Sequence, residues 1–165
     1  MDKGQKNRAR KTLFVLIGIM LLYYIPNTVY NRYFNIKLIP ITENADGSDS
    51  LVVLPDGSEV FLHQDASITF TKEFPDDRRK TELRGGASVQ IKKDVRPFKL
   101  KIKRCLLISN HGRLLVKKIN AVKYEVLVEN GDFGLEEYNK DGELENLYSL
   151  GMNDKVIIGE YAEIK

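Results

Sequence analysis

An uncharged apolar run close to the N-terminus constrains this chain more than any other feature. No residue from Thr12 to Ile25 carries a charged side chain, and Tyr and Phe residues cluster just beyond it. A helix needs roughly 20 mostly apolar residues to cross the hydrocarbon core of a bilayer. The run reaches this length only if Pro26, Asn27 and Thr28 lie at the headgroup level, and the aromatic cluster supports that placement because aromatic rings favour the membrane–water interface. The sequence therefore predicts one transmembrane helix over residues 12–30.

The residues before this run predict its orientation. Residues 1–11 form a basic arm that contains Lys3, Lys6, Arg8, Arg10 and Lys11. Basic residues next to a membrane span stay on the cytoplasmic side. We therefore expect residues 1–11 in the cytoplasm and everything after the span on the other side of the membrane.

Two other interpretations of the apolar run stay open. A cleavable signal peptide also has a basic arm and an apolar core, but it requires a small-residue cleavage site, and residues 20–36 offer none. A buried core helix is the second alternative. It is less favoured because the run is apolar on all faces, whereas a helix packed on one side shows one apolar stripe.

Charge is distributed unevenly along the chain. Residues 72–123 hold 16 basic and 5 acidic residues, whereas residues 124–165 hold 3 basic and 11 acidic residues. The basic block could bind anionic headgroups or an acidic partner. Alternatively, strands of the two blocks lie side by side and neutralise each other. The predicted topology places the basic block outside the cytoplasm, which excludes nucleic acid as a partner.

The rest of the chain has the pattern of a β domain. Phe98, Leu100 and Ile102 alternate with lysines, and a period of two indicates strands with one buried face. Glycine-containing turn sequences, among them Asn130-Gly131, separate such runs about every ten residues. We predict a mainly β protein, with one N-terminal transmembrane helix followed by an antiparallel β-sandwich or roll. The predicted divisions are a basic arm at 1–11, the helix at 12–30, a linker at 31–50 and the β domain at 51–165.

The sequence offers no pattern typical of catalysis or of metal binding. His63, His111 and Cys105 are far apart and match no zinc spacing, and a lone Cys in a strand is usually a core residue. The acidic residues of positions 136–145 do not fit a calcium loop and are expected to face solvent. We therefore predict no enzyme activity, no catalytic residue, no cofactor and no metal.

Residues 54–102 contain motifs in a familiar order. The matching elements are Leu54-Pro55-Asp56-Gly57-Ser58, then Val60-Phe61-Leu62, then Ser67, Ile68 and Phe70, a looser match over Thr81–Ile91 with Gly86 and Ala87, and finally Arg96-Pro97-Phe98. The C-terminal part also matches the end of the same pattern, at Glu129, Gly131, Leu150 and Gly151. This order resembles the FecR family, the periplasmic domains of ferric-citrate-type sigma regulators. Pro55, Asp56 and Gly57 are interpreted as a structural turn, because Pro presets φ and Gly adopts positive φ freely.

The resemblance implies a β domain in the periplasm of a bacterium, anchored in the inner membrane. Three departures from the family are expected to matter. The expected cytoplasmic part is only residues 1–11, where sigma regulators usually carry an anti-sigma domain. A long strand of the family is replaced by residues 105–112, and we expect no receptor-docking C-terminal domain of the kind that many relatives have. The resemblance therefore supports the fold and the setting more strongly than control of a sigma factor.

These patterns lead to one main functional hypothesis and one alternative. The first is a single-pass inner-membrane protein whose periplasmic domain mediates protein–protein interaction in envelope signalling or regulation. The alternative is a structural or assembly subunit of an inner-membrane complex. The expected partners are membrane proteins and the lipid bilayer, and the sequence does not identify a small-molecule ligand. Lys99, Lys101 and Lys103 are the candidate partner-contact face.

Overall fold

A computed structural model describes residues 40–74, 79–159 and 162–164, and these residues form β-strands joined by turns. Fourteen strands follow in chain order: β1 (Pro40–Asn44), β2 (Ser50–Val53), β3 (Glu59–Leu62), β4 (Ser67–Thr71), β5 (Arg79–Arg84), β6 (Ala87–Ile91), β7 (Phe98–Ile102), β8 (Cys105–Ser109), β9 (Gly112–Lys118), β10 (Tyr124–Asn130), β11 (Phe133–Tyr138), β12 (Leu144–Leu150), β13 (Lys155–Ile158) and β14 (Ala162–Ile164).

The strands form two sheets of seven strands each. Sheet 1 has the order β1-β4-β5-β7-β8-β11-β12, and sheet 2 has the order β14-β13-β10-β9-β6-β3-β2. Neighbouring strands are antiparallel, except that β5 and β7 pair in parallel. That exception arises because β6, which connects them along the chain, lies in the other sheet. The prediction of a mainly β fold is confirmed, and the sheets are antiparallel as predicted apart from the β5–β7 pair.

Side chains from both sheets enclose one hydrophobic core. Phe98, Leu100 and Ile102 are fully buried on β7, while the intervening lysines are partly exposed. The same alternation holds on β6 and β10, where the inward residues are buried. Alternate residues of a strand point to opposite faces, so the period of two correctly predicted which side chains enter the core.

The chain crosses repeatedly from one sheet to the other. The sequence instead predicts hairpins at these turns, in which consecutive strands pair within one sheet. Turns 55–58 and 139–143 join neighbouring strands of one sheet. The reversals at Gly85-Gly86, His111-Gly112 and Asn130-Gly131 instead carry the chain from one sheet to the other. Glycine at positive φ permits a sharp reversal in either case, and packing of the sheets decides where the next strand pairs.

The β domain begins earlier than the sequence predicts. Residues 31–50 are predicted to be a linker, but β1 occupies Pro40–Asn44 and pairs along its whole length with β4. Its sequence lacks a run of apolar alternation, and Ile41 is the one residue of 41–44 that packs against the core. The strand is therefore held by its ladder to β4, a pairing that local sequence does not encode.

The predicted basic arm and transmembrane helix, residues 1–30, lie outside the described residues. Within residues 40–74, 79–159 and 162–164, no helix has the length and apolar character needed to cross a bilayer.

Candidate functional site

The predicted Pro55-Asp56-Gly57 turn is present and joins β2 to β3. The N–H of Gly57 donates to the carbonyl of Leu54 at 2.8 Å, and Gly57 has φ +79°. One carboxylate oxygen of Asp56 accepts from the N–H of Ser58 at 3.0 Å, and the other accepts from its hydroxyl at 2.7 Å. The turn therefore forms for the reason that its residue types suggest, with Asp56 bonding the chain two residues on.

Asp56 has a second role that sequence reasoning missed. Its carboxylate pairs with Arg79 at the start of β5, with the Nη2 of Arg79 2.6 Å from Oδ2 and the Nε donating to the same oxygen at 2.8 Å. The Arg79 side chain is fully buried and that of Asp56 is only 2% exposed. An ion pair removed from water in this way is stable only when further hydrogen bonds satisfy both partners.

Those further hydrogen bonds come from the loop between β6 and β7. Arg79 donates from Nη1 to the carbonyl of Arg96 at 2.7 Å and from Nη2 to the carbonyl of Lys92 at 2.9 Å. The Ser58 hydroxyl accepts from the N–H of Lys92 at 3.0 Å. The guanidinium also lies 5.4 Å from the centre of the Phe98 ring. We call Asp56, Ser58, Arg79 and Phe98 the buried arginine cluster.

The loop that supplies the carbonyls is itself held by an ion pair. Arg96 donates from Nη2 to Oδ2 of Asp94 at 2.8 Å and from its N–H to Oδ1 at 3.1 Å. The Arg96 guanidinium therefore holds the pKa of Asp94 far below the usual range of an aspartate. A depressed pKa means that this contribution to stability is present at neutral pH and is lost as pH falls through the folded-state pKa.

The buried arginine cluster unites motifs that are separate in the sequence. Asp56 and Ser58 belong to the first motif of the FecR resemblance, and Phe98 belongs to the last one. Arg79 lies between them in the sequence, on the same inward face of β5 as Thr81 and Leu83. A cation at an inward strand position requires a buried partner, and that signal was available in the sequence. The buried arginine cluster therefore connects the turn between β2 and β3, strand β5 and the loop between β6 and β7.

The proposed contact face of three lysines is divided by the structure. Lys99 and Lys101 lie on the outer face of β7, and Lys101 Nζ is 3.6 Å from Oε2 of Glu82. Strand β7 ends at Ile102, so Lys103 lies in the following turn, with φ +55°. Its Nζ donates to the carbonyl oxygen of Val122 at 2.7 Å. The alternation assigned to Lys99, Lys101 and Lys103 thus ends before Lys103, which faces the β9–β10 turn instead.

The two charge blocks are neighbours in the fold, but few of their charges pair. Strand β8 lies beside β11, and β9 lies beside β10, as mutual neutralisation requires. Among the ion pairs of the described residues, only Arg113 with Glu129, at 3.1 Å, joins the two blocks. Within the described residues, the neighbouring strands therefore bring the two blocks together without extensive ion pairing between them.

The remaining polar candidates lie in separate environments. His63 directly follows β3 and makes an edge contact with the Phe61 ring, whereas His111 is exposed between β8 and β9. Cys105 belongs to the core, where burial raises the pKa of its thiol to about 12, with a smaller effect from Glu137. The part of the chain that the structure describes holds no group of three or more His, Cys, Asp or Glu residues able to bind a metal.

The fold is shared with solved structures. Two crystal structures of a "putative anti-sigma factor" from Parabacteroides distasonis match with TM-scores of 0.67 and 0.65, at 22% and 23% sequence identity. The matches cover 77% and 78% of this chain but 60% and 59% of those chains. This chain therefore spans about three-fifths of the length of the proteins that it matches. No family model matches the chain, and no curated protein matches it.

Proposed function

We propose that the chain is a single-pass protein of a bacterial inner membrane whose periplasmic β domain regulates envelope signalling by contacting another protein. The observation that carries this proposal is that the sequence motifs and the fold both resemble regulators of sigma factors. The motifs of residues 54–102 resemble FecR-type sigma regulators, and the fold matches the two crystal structures of a "putative anti-sigma factor". Identity this low supports only a shared fold, so the agreement with the motifs supplies the functional argument.

Exposed apolar residues on an edge strand support a binding role. Strand β2 lies at one end of sheet 2 as described, and its Leu51 and Val53 are 58% and 60% exposed. Phe61 lies opposite Leu51 on β3 and is 42% exposed. Sheet edges with exposed apolar side chains offer both backbone groups and apolar surface to another chain. This part of sheet 2 is therefore suited to contact with a protein.

A binding role is also favoured over a catalytic one by the state of the residues that could react. Cys105 is only 3% exposed, and its raised pKa keeps the thiol protonated at neutral pH, whereas the thiolate is the nucleophilic form. Asp56 and Arg79 form an ion pair with each other, and Arg79 also donates a hydrogen bond to a backbone carbonyl. The proposal therefore assigns the domain no reaction, no cofactor and no metal.

Deleting the gene tests the regulatory role. We expect transcripts of one envelope-transport locus to change several-fold, and we expect full-length protein supplied from a plasmid to restore them. The readout is transcript profiling of the wild type, the deletion strain and the complemented strain. A plasmid encoding residues 1–39 alone is the matched control and should not restore the profile, because it lacks the β domain.

The same strains distinguish the alternative of a structural subunit. Native gel electrophoresis of detergent-solubilised membranes should show the same large complexes with and without the protein if it is a regulator. Unchanged transcripts together with loss of a membrane complex would contradict the regulatory proposal and assign the chain to assembly.

A further inference from the structure

Two adjoining clefts at one end of sheet 1 are lined by basic residues. The first, of about 410 Å³, is bounded by the β7–β8 turn and the β11–β12 turn, and five of its ten described lining residues are basic. The second, of about 480 Å³, has four basic residues among six. None of the described lining residues is acidic. The basic residues of this pair, which we call the basic cleft, are Lys80, Lys101, Lys103, Arg104, Lys123 and Lys140.

The walls of the basic cleft are held in place by hydrogen bonds. Lys103 Nζ donates to the carbonyl oxygens of Val122 and Ala121, at 2.7 and 3.3 Å, and lies 5.5 Å from the centre of the Tyr124 ring. These contacts tie the β7–β8 turn of sheet 1 to the β9–β10 turn of sheet 2. In the β11–β12 turn, Oδ1 of Asn139 accepts from two backbone N–H groups. The cleft is therefore organised before any ligand arrives, which reduces the entropy lost on binding.

Three acidic residues near the basic cleft already make polar contacts, and two of them, Glu82 and Glu136, contact residues of the cleft lining. Glu136 accepts a hydrogen bond from the Tyr138 hydroxyl. Oε1 of Glu82 lies 3.2 Å from Nη2 of Arg84, and its Oε2 lies 3.6 Å from Nζ of Lys101. Glu137 is buried and accepts from Asn146 and from the N–H of Ala162. Within the described residues, no ion pair involves Lys80, Lys103, Lys123 or Lys140. Lys101 is paired with Glu82 and Arg104 has contacts of its own, so the positive potential of the cleft is assigned mainly to Lys80, Lys123 and Lys140.

We propose that the basic cleft binds an extended acidic peptide segment of the regulatory partner, an inference that rests on the proposed function. Charge complementarity requires an anionic ligand. The cleft is concave and two-lobed, with Lys103, Arg104 and Lys140 common to both lobes, so a chain can occupy both at once whereas one small anion cannot. Leu106 and Tyr138 add apolar surface to the first lobe, which suits the side chains that accompany carboxylates in a peptide.

Peptide binding by the full chain in a neutral detergent tests this proposal. Fluorescein-labelled octaglutamate is the probe, and fluorescence anisotropy is the readout. Lys123→Glu/Lys140→Glu should raise the Kd at least about tenfold, because each reversal replaces an attraction by a repulsion inside a cleft. Lys72→Glu/Lys93→Glu is the matched control: both lysines are exposed and lie outside the cleft lining, and the change in net charge is the same. The control should bind like the unaltered chain.

Three results would overturn the proposal. The first is equal weakening by both double variants, which would assign binding to net charge alone. The second is the absence of saturable octaglutamate binding at low salt, where screening is weakest. The third is displacement of the peptide by inorganic phosphate at an equal concentration of charge, which would make this a phosphate site. Unaltered circular dichroism of the variants verifies that they are folded.

Failure of this inference is distinguishable from failure of the proposed function. If the transcript response to deletion is present but octaglutamate does not bind, the regulatory role stands and the partner contacts another surface. If deletion leaves transcripts unchanged while octaglutamate binds at the cleft, the regulatory role fails and the acidic-peptide site remains.

Discussion

Arg79→Met is expected to lower the free energy of unfolding by about 3–5 kcal/mol. The substitution removes the only ion-pair partner of Asp56 within the described residues and leaves its carboxylate buried, which is the costly way to break a buried pair. It also leaves the carbonyls of Lys92 and Arg96 without the donor they have in the folded domain. Urea unfolding of the full chain, followed by circular dichroism, measures the change.

Two further variants separate the buried pair from a general effect of losing an arginine. Arg84→Met breaks an ion pair to Glu82 in which the arginine side chain is 79% exposed, so it should cost less than about 1 kcal/mol. Arg79→Met/Asp56→Asn removes both charges and should be less destabilised than the sum of the single variants, because the two residues are coupled. Additive effects of the two substitutions, or equal effects at Arg79 and Arg84, would contradict this account of the buried arginine cluster.

Gly112→Ala is expected to destabilise the domain by about 2–5 kcal/mol. Gly112 has φ +139°, a conformation that is strained for a residue with a Cβ. The added Cβ would also lie 2.5 Å from the carbonyl oxygen of Asn130 and 3.0 Å from the Phe133 ring. Strain and overpacking therefore add at one site, where the β8–β9 and β10–β11 crossings between sheets meet. Thermal unfolding and urea unfolding both measure the loss.

Gly142→Ala provides the matched control in the β11–β12 turn. Gly142 also has positive φ, +83°, but within the described part of the chain no atom beyond its immediate neighbours lies within 4 Å of the Cβ that the substitution would add. Only the strain of placing alanine in a left-handed backbone conformation remains, so the free energy of unfolding should fall by about 1–2 kcal/mol. Equal destabilisation by the two substitutions would mean that the close approach of the two crossings does not contribute.

Sequence patterns predicted the parts of this fold that depend on neighbouring residues. The burial of Phe98, Leu100 and Ile102 follows from alternation, and the turn at Asp56 follows from side-chain and backbone preferences. Both features are decided within a few residues. The reversal at Gly131 shows the limit: its residue types permit positive φ, but the crossing to the other sheet depends on its packing against the His111–Gly112 backbone.

Contacts between distant residues explain what the sequence did not predict. Strand β1 is held by β4, and Arg79 is held by groups up to 23 residues away. The basic cleft is assembled from β5, β7 and turns of both sheets, so no run of lysines marks it. Lys103 shows how a local pattern can mislead. Its alternation with apolar residues predicted a position on a strand face, but its left-handed backbone conformation places it in the turn after β7.

The central claim is that the β domain acts by contact with another protein, and site-specific photo-crosslinking in living cells tests it most directly. A photoreactive amino acid would replace Leu51, Val122 or Leu147, three residues more than half exposed on different strands and turns. We expect at least one position to give a discrete crosslink to one other envelope protein, with the strongest yield from Val122 beside the basic cleft. Full-length protein that stays uncrosslinked at all three positions, at its normal cellular level, would contradict the claim.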